Sequence, residues 1–551
     1  MKGREINRRD FLKTTGTLLG ASMIMGPGFA FSQTGPEGPV NPMKIVTTTA
    51  GLDPVRPEAS RACAQAFGSI GWDVEVAPMD YNQNVQKVVL EHDYDMWFVM
   101  MSGASLRIDP DVFIYQCHHS SQYKKGGYNW TGLSSPEIDK LAEAQQRAMN
   151  MDERKDIVYR AQDAIHEAQS FNVVAYPQMT NAYRSDRIKN LTPMMGEGIG
   201  SFWSDISVES TAGDGYVRTG FTNALKTLNP VNAKSHDEFM ALRMIYDRLF
   251  RIAPDGTPMP WAAEKYQVVD PKTIEITLRE GMLWHDGRPV TVEDVKFTID
   301  YHTEWKAPFF AKGLSYVQGM EITGNRNIRF KLSEPYAPFI PNLLGAVFLI
   351  PKHIWQDIPE KVSNLDDPLN YPNEKPVGSG PFKFDHWNRG RELKLSAFKE
   401  HFHPPRCAGN IEIIYGSHDA MAAAIEKGEC DRTRYVLKPS LTEDLKKVKN
   451  VVAKGYPNHG FYTLSYHTRR PPLNDPAFRK ALAHVIPKDL IIQAVLSDYA
   501  DRGGSVIGPA NDYWHNTSVK SFPTDIDKAK KILAEAGYTW DKKGKLHYPK
   551  A

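Results

Sequence analysis

The stretch LREGMLWHDGRPVTVEDVKFTIDY (278–301) decides the fold. It overlaps TIEITLR (273–279), where apolar and polar residues alternate as in a half-buried strand, and it precedes NIRFKL (327–332), which repeats the alternation. Thr291 and Asp294 form a capping box, which predicts a helix between the two strands. Helices that alternate with strands favour an α/β fold over a β-sandwich.

Other stretches extend this pattern along the chain. They are VGSGPFKF (377–384), NDPAFRKALAHVIPKDLIIQAVL (474–496), ASLRIDPDVF (104–113), YNWTGLSSPEIDKL (128–141) and DERKDIVYRAQDAI (152–165). Ser135 with Pro136, and then Asp152, predict the starts of two more helices. With 278–301, these motifs resemble the peptide and nickel type of extracellular solute-binding protein that serves ABC importers. The resemblance implies a two-lobed periplasmic binding protein fold with mixed sheets and an inserted subdomain.

The motifs stand in an unusual order. The stretch 104–165 is similar to a late segment of that family, yet here it precedes 278–301. DKAKKILAEAGYTWDKKGKLHYPKA (527–551) predicts a helix capped by Gly537 and the approach to a strand, while Met43–Met79 supplies strand, helix and strand. Joining 551 to 43 restores the family's uninterrupted run. We therefore expect the chain to be circularly permuted.

Domain boundaries follow from this order. We expect one lobe from 181–252 and 378–458, an inserted subdomain at 253–377, and a second lobe from 43–180 with 459–551. The family's original termini would be joined at STAGDG (210–215), and the two hinge crossings are expected near Met179–Arg184 and Tyr456–Phe461.

Composition fits an ordinary soluble globular protein. The chain has 551 residues, 41% hydrophobic and 24% charged, with a formal charge of +2, which is too small to indicate nucleic acid or an anionic membrane as a partner. We expect a monomer that binds a small-molecule solute and interacts with the transmembrane subunits of an importer. Residues 1–32 are predicted to be an export signal, because Asn7–Lys13 (NRRDFLK) resembles a twin-arginine motif and Gly16–Ala30 is modestly apolar. That signal implies a periplasmic location; the alternative is a cytoplasmic N-terminal helix.

The four cysteines, Cys63, Cys117, Cys407 and Cys430, allow three disulfide pairings. We favour Cys407 with Cys430, since both flank one strand-helix-strand unit. None has a C-x-x-C spacing, which argues against a cysteine zinc site.

The loop before Asp109-Pro110 predicts the ligand class. In peptide-binding members of the resembled family, a Trp and an Asp precede this pair, and the Asp binds the ligand's α-ammonium group. Here Ala104 stands at the Trp position and Leu106 at the Asp position, which disfavours a free amine, whereas Arg107 could bind a carboxylate or phosphate or could be an exposed loop residue. The candidate ligand-binding residues are Ser102, Gly103, Ala104, Ser105, Leu106, Arg107, Asp109, His236 and Trp387.

Other residues carry weaker hypotheses. His118, His119, His401 and His403 suggest a nickel or haem site, although surface positions are more common for such residues. Trp97, Trp130, Trp284 and Trp387 could line a cleft or pack in the core. His285 and Asp286 are interpreted as structural, and Ser379 lacks the G-x-S-x-G pattern of a hydrolase. We expect no catalytic residue, metal or cofactor. The alternative is an exported enzyme or a metal or haem carrier on the same fold.

Overall fold

The computed structural model describes residues 38–104, 107–307, 309–361 and 368–550. The predicted export signal (1–32) and two candidate ligand residues, Ser105 and Leu106, lie outside these ranges.

Strands and helices alternate in the N-terminal part of the chain. The strands are β1 (Met43–Thr48), β2 (Val74–Met79), β3 (Met96–Met101), β4 (Phe171–Pro177) and β5 (Met179–Arg184). The helices are α1 (Val55–Gly68), α2 (Tyr81–Val85), α3 (Pro136–Arg147) and α4 (Met151–Ala168), with π or 3-10 turns at Gln86–Leu90, Val112–Gln116 and Ser120–Gln122. Ser135 caps α3 as predicted. Helix α4 starts just before the predicted Asp152, because the Asn150 side chain accepts hydrogen bonds from the first turn.

The middle of the chain holds most of the strands. They are β6 (Ile188–Lys189), β7 (Glu209–Ser210), β8 (Tyr216–Phe221), β9 (Phe250–Ile252), β10 (Pro258–Pro260), β11 (Ala263–Asp270), β12 (Thr273–Leu278), β13 (Val317–Gly324), β14 (Asn327–Leu332), β15 (Phe382–Asn388), β16 (Glu392–Ala397), β17 (Gly409–Ile414), β18 (Arg432–Thr433) and β19 (Val451–Tyr456). The helices are α5 (Phe202–Ser207), α6 (His236–Ile245), α7 (Val292–Glu304), α8 (Ala311–Leu314), α9 (Lys352–Trp355), α10 (Ile358–Lys361), α11 (His418–Lys427) and α12 (Pro439–Leu445), with further turns at Phe339–Leu344 and Pro368–Asn370. The predicted strands β12 and β14 pair antiparallel, and Thr291 N–H donates to Asp294 at the start of α7.

The C-terminal part adds helices and short strands. They are β20 (Phe461–Tyr466), β21 (Ala500–Arg502), β22 (Thr539–Trp540), β23 (Leu546–His547), α13 (Pro476–Val485), α14 (Lys488–Leu490), α15 (Ile526–Glu535) and a π turn at Ile491–Val495. Gly537, which was predicted to cap the helix, follows α15 with a φ of +89° that a residue with a Cβ rarely adopts.

One sheet combines strands from both ends of the chain. Its six strands run in the order β2-β1-β3-β20-β4-β21, with β1 parallel to β2 and β3 antiparallel to β20. Near it, Leu546 N–H donates to Gly71 O at 3.0 Å and Val40 N–H donates to Leu546 O at 2.8 Å. We call this sheet and its helices the six-stranded lobe.

A second sheet of seven strands runs in the order β15-β16-β17-β8-β18-β5-β19. A separate sheet, β11-β12-β14-β13, is covered by α7 and shares its apolar core with one side of the seven-stranded sheet. We call the two parts the seven-stranded lobe and the four-stranded subdomain.

The backbone passes between the two large sheets at two places. One is Gln178, between β4 and β5, and the other is 457–460, between β19 and β20. The first crossing comes just before the predicted range, because Met179–Arg184 forms β5 and pairs along its whole length with β19. This architecture confirms the predicted α/β fold with two lobes and mixed sheets. No helix in the described ranges is both long and apolar enough to cross a membrane.

The favoured disulfide between Cys407 and Cys430 was wrong. All four thiols are free and buried. Cys407 packs into the large core shared with the four-stranded subdomain, whereas Cys430 packs with Met421 and Ile425 of α11 in a separate core. Burial raises the pKa of Cys430 to about 12, so its sulfur stays a thiol.

Candidate ligand site between the lobes

A cavity of about 1140 Å³ lies between the lobes. The six-stranded lobe lines it with residues 50–56 and with side chains of β3 and β20, the seven-stranded lobe lines it with 416–419 and 436–439, and Pro177 and Gln178 stand at the first crossing. Both lobes must therefore meet for the cavity to form. A cavity at a lobe interface is the usual place for a small-molecule ligand.

An ion pair lies on the wall formed by the six-stranded lobe. Arg56 Nε is 2.8 Å from Asp53 Oδ2, and both side chains are largely shielded from solvent. Asp53 also accepts a hydrogen bond from Val55 N–H at the start of α1, which orients the carboxylate. Burial beside Asp53 raises the pKa of Tyr462, so its phenol stays protonated. Arg56 Nη1 is buried and finds no acceptor among the described residues.

An aromatic wall adjoins this pair. Trp97 and Trp130 pack edge to face with ring centroids 5.0 Å apart, and the ring of Tyr128 lies 6.3 Å from that of Trp130. Trp130 Nε1 donates to Ser465 Oγ, but Trp97 Nε1 has no acceptor in the described part of the chain although Trp97 is only 3% exposed. The wall therefore offers apolar surface and one free N–H donor.

The opposite wall comes from the seven-stranded lobe. Ser417 caps α11 through its hydroxyl, which accepts from Ala420 N–H, and places His418 and Asp419 at the cavity. Asp419 Oδ2 lies 3.2 Å from Lys438 Nζ. Burial and the nearby Lys438 lower the pKa of His418, which favours a neutral imidazole at pH 7.

The predicted ligand loop reaches the cavity in part. Ser102 and Arg107 line it, and Arg107 Nη1 donates to Ser102 Oγ at 2.9 Å. No carboxylate of the described residues lies within 4.0 Å of Arg107. Asp109 instead turns away and accepts two hydrogen bonds of 2.8 Å from the buried Arg154. It therefore anchors the loop rather than facing the cavity.

The other candidate residues lie elsewhere. Gly103 packs closely against Asn458 and Gly460 at the second crossing, and Ala104 O lies 3.2 Å from His459 Nε2. His236 starts α6 with its ring 6.1 Å from that of Tyr435, and Trp387 lies on the edge strand β15 beneath Arg389. Neither His236 nor Trp387 lines this cavity. Sequence analysis gave Trp97 and Trp130 two possible roles, lining a cleft or packing in the core, and both line the cavity. It did not single out Asp53, Arg56 or Tyr462, which also line it.

The four histidines do not form one site. His118 and His119 belong to the six-stranded lobe, where His118 Nδ1 lies 2.6 Å from Phe113 O, whereas the buried His401 contacts Asp247 in the other lobe. Within 38–104, 107–307, 309–361 and 368–550, no group of three or more histidine, cysteine or acidic side chains is placed to hold a metal ion.

The lobes also contact each other on both sides of the cavity. Lys312 Nζ of the four-stranded subdomain lies 3.2 Å from the buried Asp111 Oδ2, and Ala337 N–H donates to Gln146 O at 2.7 Å. On the other side Tyr499 OH donates to Glu443 of α12. These contacts join the two lobes in addition to the two backbone crossings.

Two lobes joined by two crossings around a cavity define the fold of the two-lobed binding proteins. The family described as "Bacterial extracellular solute-binding proteins, family 5 Middle" matches residues 257–550, more than half of the sequence. The chain belongs to this family.

Individual curated proteins are also similar to this chain. The chain is 27% identical over 315 residues to the dipeptide-binding protein of Escherichia coli K12, and 26% identical over 271 residues to the oligopeptide-binding protein AppA of Bacillus subtilis 168. These matches cover 53% and 48% of this chain and 58% and 48% of the two relatives, so the chain spans about half the length of the curated relatives it matches.

Solved structures support the fold. The periplasmic oligopeptide-binding protein of a Thermotoga maritima ABC transporter matches with a TM-score of 0.50 and 24% identity, over 60% of this chain and 64% of that one. The substrate-binding protein CtaP of Listeria monocytogenes gives the same TM-score and identity over 59% and 65%.

Proposed function

We propose that the protein is the periplasmic receptor of an ABC importer, which captures a small solute between its lobes and presents it to the membrane subunits. The observation that carries the proposal is the cavity of about 1140 Å³ lined by both lobes. The names of the relatives, which bind dipeptides, oligopeptides or glutathione, support the same class of function.

In this proposal the protein binds its solute and does not convert it chemically. Both carboxylates that line the cavity are already paired, Asp53 with Arg56 and Asp419 with Lys438. Each carboxylate is therefore engaged by a cation of its own wall rather than left free to act on a bound solute. The walls therefore suit recognition better than acid-base catalysis.

The ligand presents hydrogen-bond acceptors. Trp97 Nε1, Arg56 Nη1 and the guanidinium of Arg107 are donors that face or adjoin the cavity, and Arg107 lacks a carboxylate partner within the described residues. Buried donors without acceptors are costly, so a ligand that supplies oxygens is favoured. We infer an acidic or polar neutral solute rather than a peptide with a free α-amine.

The experiment that tests this function is native mass spectrometry of protein secreted from its full-length gene. We expect one bound small molecule per chain, released by unfolding and rebound in calorimetry with 1:1 stoichiometry. Protein that carries no ligand and binds none of a panel of acidic, neutral and peptide solutes, or that converts its ligand, contradicts the proposal.

The inferred ligand class has its own test at the loop that precedes Asp109. Leu106→Asp should raise affinity for dipeptides with a free N-terminus if the cavity admits them, because an acid would then pair with the α-ammonium group. Leu106→Asn is the neutral control. Tight binding of an unmodified dipeptide by the wild-type protein, unaffected when its N-terminus is blocked, argues against the assignment of this loop.

We also propose that the chain is a circular permutant with the lobe boundaries given above: 43–180 with 459–551, and 181–252 with 378–458 around 253–377. The sheet that pairs β3 with β20 supports this, as do the hydrogen bonds of Leu546 to Gly71 and Val40. A rearranged chain in the family's order, 216–550 followed by 43–209, should fold with the same stability and ligand affinity. Failure of that chain to fold, while the present order folds, counts against the proposal.

Export by a twin-arginine signal is a separate proposal, supported by the NRRDFLK motif (7–13). Replacing both arginines, Arg8→Lys and Arg9→Lys, should retain the protein in the cytoplasm of a host that has the pathway. Undiminished export of this variant rules out the twin-arginine route.

A further inference from the structure

A second, much smaller cavity lies where the seven-stranded lobe meets Gly345 of the inserted range 253–377. It has a volume of about 30 Å³ and is lined by the side chains of Arg243, Arg248 and Arg251, together with Glu197 and apolar neighbours such as Phe202. The three arginines are 5%, 6% and 4% exposed. The Nε atom of each is buried and meets no acceptor among the described residues.

The acids near this cavity do not balance the three guanidinium groups. Glu197 Oε2 accepts from Arg243 Nη1 at 2.7 Å. Asp205 lies 3.5 Å from Arg243, but its oxygens are bonded to Arg432 and Arg434.

Asp247 lies 3.7 Å from Arg251 and also accepts from Trp261 Nε1 at 2.7 Å. Its third contact is the buried His401, whose Nε2 lies 3.3 Å from Asp247 Oδ2.

Of the three arginines, Arg248 is the one without an ion pair in the described part of the chain. No carboxylate in the described residues lies within 4.0 Å of it. Its Nη1 donates to Gly345 O at 3.2 Å and its guanidinium stacks 4.3 Å from the Phe348 ring, which shields it from water. Burial together with Arg251 and Arg243 lowers the pKa of Arg248 well below its usual range. Arginine keeps its proton in proteins, so this site carries a buried positive charge that needs an anion.

We propose that the cavity between Arg243, Arg248 and Arg251 binds one monatomic anion, chloride. The cavity volume of about 30 Å³ is above the roughly 10–15 Å³ that one water molecule requires, so the cavity has room for a monatomic ion. The unpartnered Nε–H groups supply donors to the ion. Chloride then completes the charge balance that Glu197 begins.

The anion supports the hinge. Glu197 and its neighbours form the turn 194–200, in which Gly196 N–H donates to Pro457 O at 3.0 Å, at the second crossing between the lobes. Gly200 O also accepts from Arg243 and Arg434. A bound anion that offsets the charge of the arginines would therefore stabilise the turn 194–200, which contacts the second crossing.

Thermal unfolding at constant ionic strength tests the site, with sodium gluconate exchanged for sodium chloride. Because the ion binds only the native state, we expect the midpoint of the wild-type protein to rise by about 1 °C for each tenfold increase in chloride above its dissociation constant. Arg248→Met should remove this dependence. Arg479→Met is the matched control, since Arg479 is equally buried in the six-stranded lobe but donates to Ala168 O and Leu473 O.

Crystals grown with bromide in place of chloride give a second readout that does not depend on a variant. We expect an anomalous peak in the cavity beside the three guanidinium groups. A cavity that holds only water at 100 mM bromide, or a chloride dependence that survives in Arg248→Met, overturns the proposal.

Discussion

The two lobes handle buried charge in opposite ways. The six-stranded lobe buries isolated groups, each satisfied locally: Arg154 with Asp109, Arg479 with two carbonyls, and Lys488 with Val173 O and Gly503 O. The seven-stranded lobe buries a network of Arg243, Arg248, Arg251, Arg432 and Arg434 with Glu197, Asp205, Asp247 and Glu412. When a buried charge is paired locally, a substitution leaves few groups without a partner. In a network, one substitution removes a partner from several buried charges at once, so it costs more stability. The difference predicts that stability of the seven-stranded lobe responds most to charge changes.

Removing one acid from each lobe should show this difference most strongly. Asp205 bonds both Arg432 and Arg434, so Asp205→Asn should cost about 5 kcal/mol of unfolding free energy in urea. Asp109→Asn should cost about 3 kcal/mol, because Arg154 keeps its hydrogen bonds to Gln145. Equal losses, or a larger loss for Asp109→Asn, would contradict the contrast.

The pH dependence of the six-stranded lobe should depend on one lysine. Burial lowers the pKa of Lys488 from 10.5 to about 7 in the folded protein. Between these pH values the unfolded chain binds one more proton, so the free energy of unfolding rises with pH by at most about 1.4 kcal/mol per pH unit. Below pH 7 the full cost of burying the charged lysine remains.

Urea unfolding at pH 7, 8 and 9 measures this effect. The difference between wild type and Lys488→Met isolates it, since all other groups titrate in both proteins. A difference that stays constant with pH would mean that Lys488 keeps its proton in the folded protein.

Two of the three cationic side chains that line the cavity, Arg107 and Lys438, should contribute unequally to affinity. Arg107 of the six-stranded lobe has no carboxylate partner in the described residues, whereas Lys438 of the other lobe is paired with Asp419. For an acidic ligand, Arg107→Ala should weaken binding by about 10- to 150-fold, the value of a hydrogen bond to a charged group. Lys438→Ala should change affinity by less than about threefold. Calorimetry that ranks the two variants in the reverse order would locate the anion on the other wall.

Of the contacts tested, the ion pair of Lys312 with Asp111 between the lobes should matter least for ligand affinity. Lys312→Ala removes a partly exposed ion pair to Asp111 and should weaken ligand binding by about two- to fivefold, because the lobes lose one contact with each other. Lys296→Ala is the control, since its pair with Asp300 lies within α7. Equal effects of the two variants would show that Lys312 does not hold the lobes together.

Much of the fold was predictable because its signals are local. The alternation in TIEITLR, the capping box at Thr291 and the cap at Ser135 each depend on residues a few positions apart, and all three are found. The disulfide prediction failed because sequence spacing does not show that Cys407 and Cys430 pack in separate cores.

The site was less predictable because it is assembled from distant segments. Ser102 and Arg107 line the cavity, whereas Asp109 accepts hydrogen bonds from Arg154, which is 45 residues away in the sequence. Asp53 and Arg56 were missed although their spacing of three at the start of α1 is a recognisable ion-pair pattern. Their role depends on the opposite lobe, which only the folded structure brings near.

Hydrogen exchange with and without the co-purified ligand tests the central claim most directly. If a solute is held between the lobes, amides of 97–102 in the six-stranded lobe and of 416–420 and 436–439 in the seven-stranded lobe should gain protection together. Protection confined to one lobe, or located away from these segments, would contradict the account.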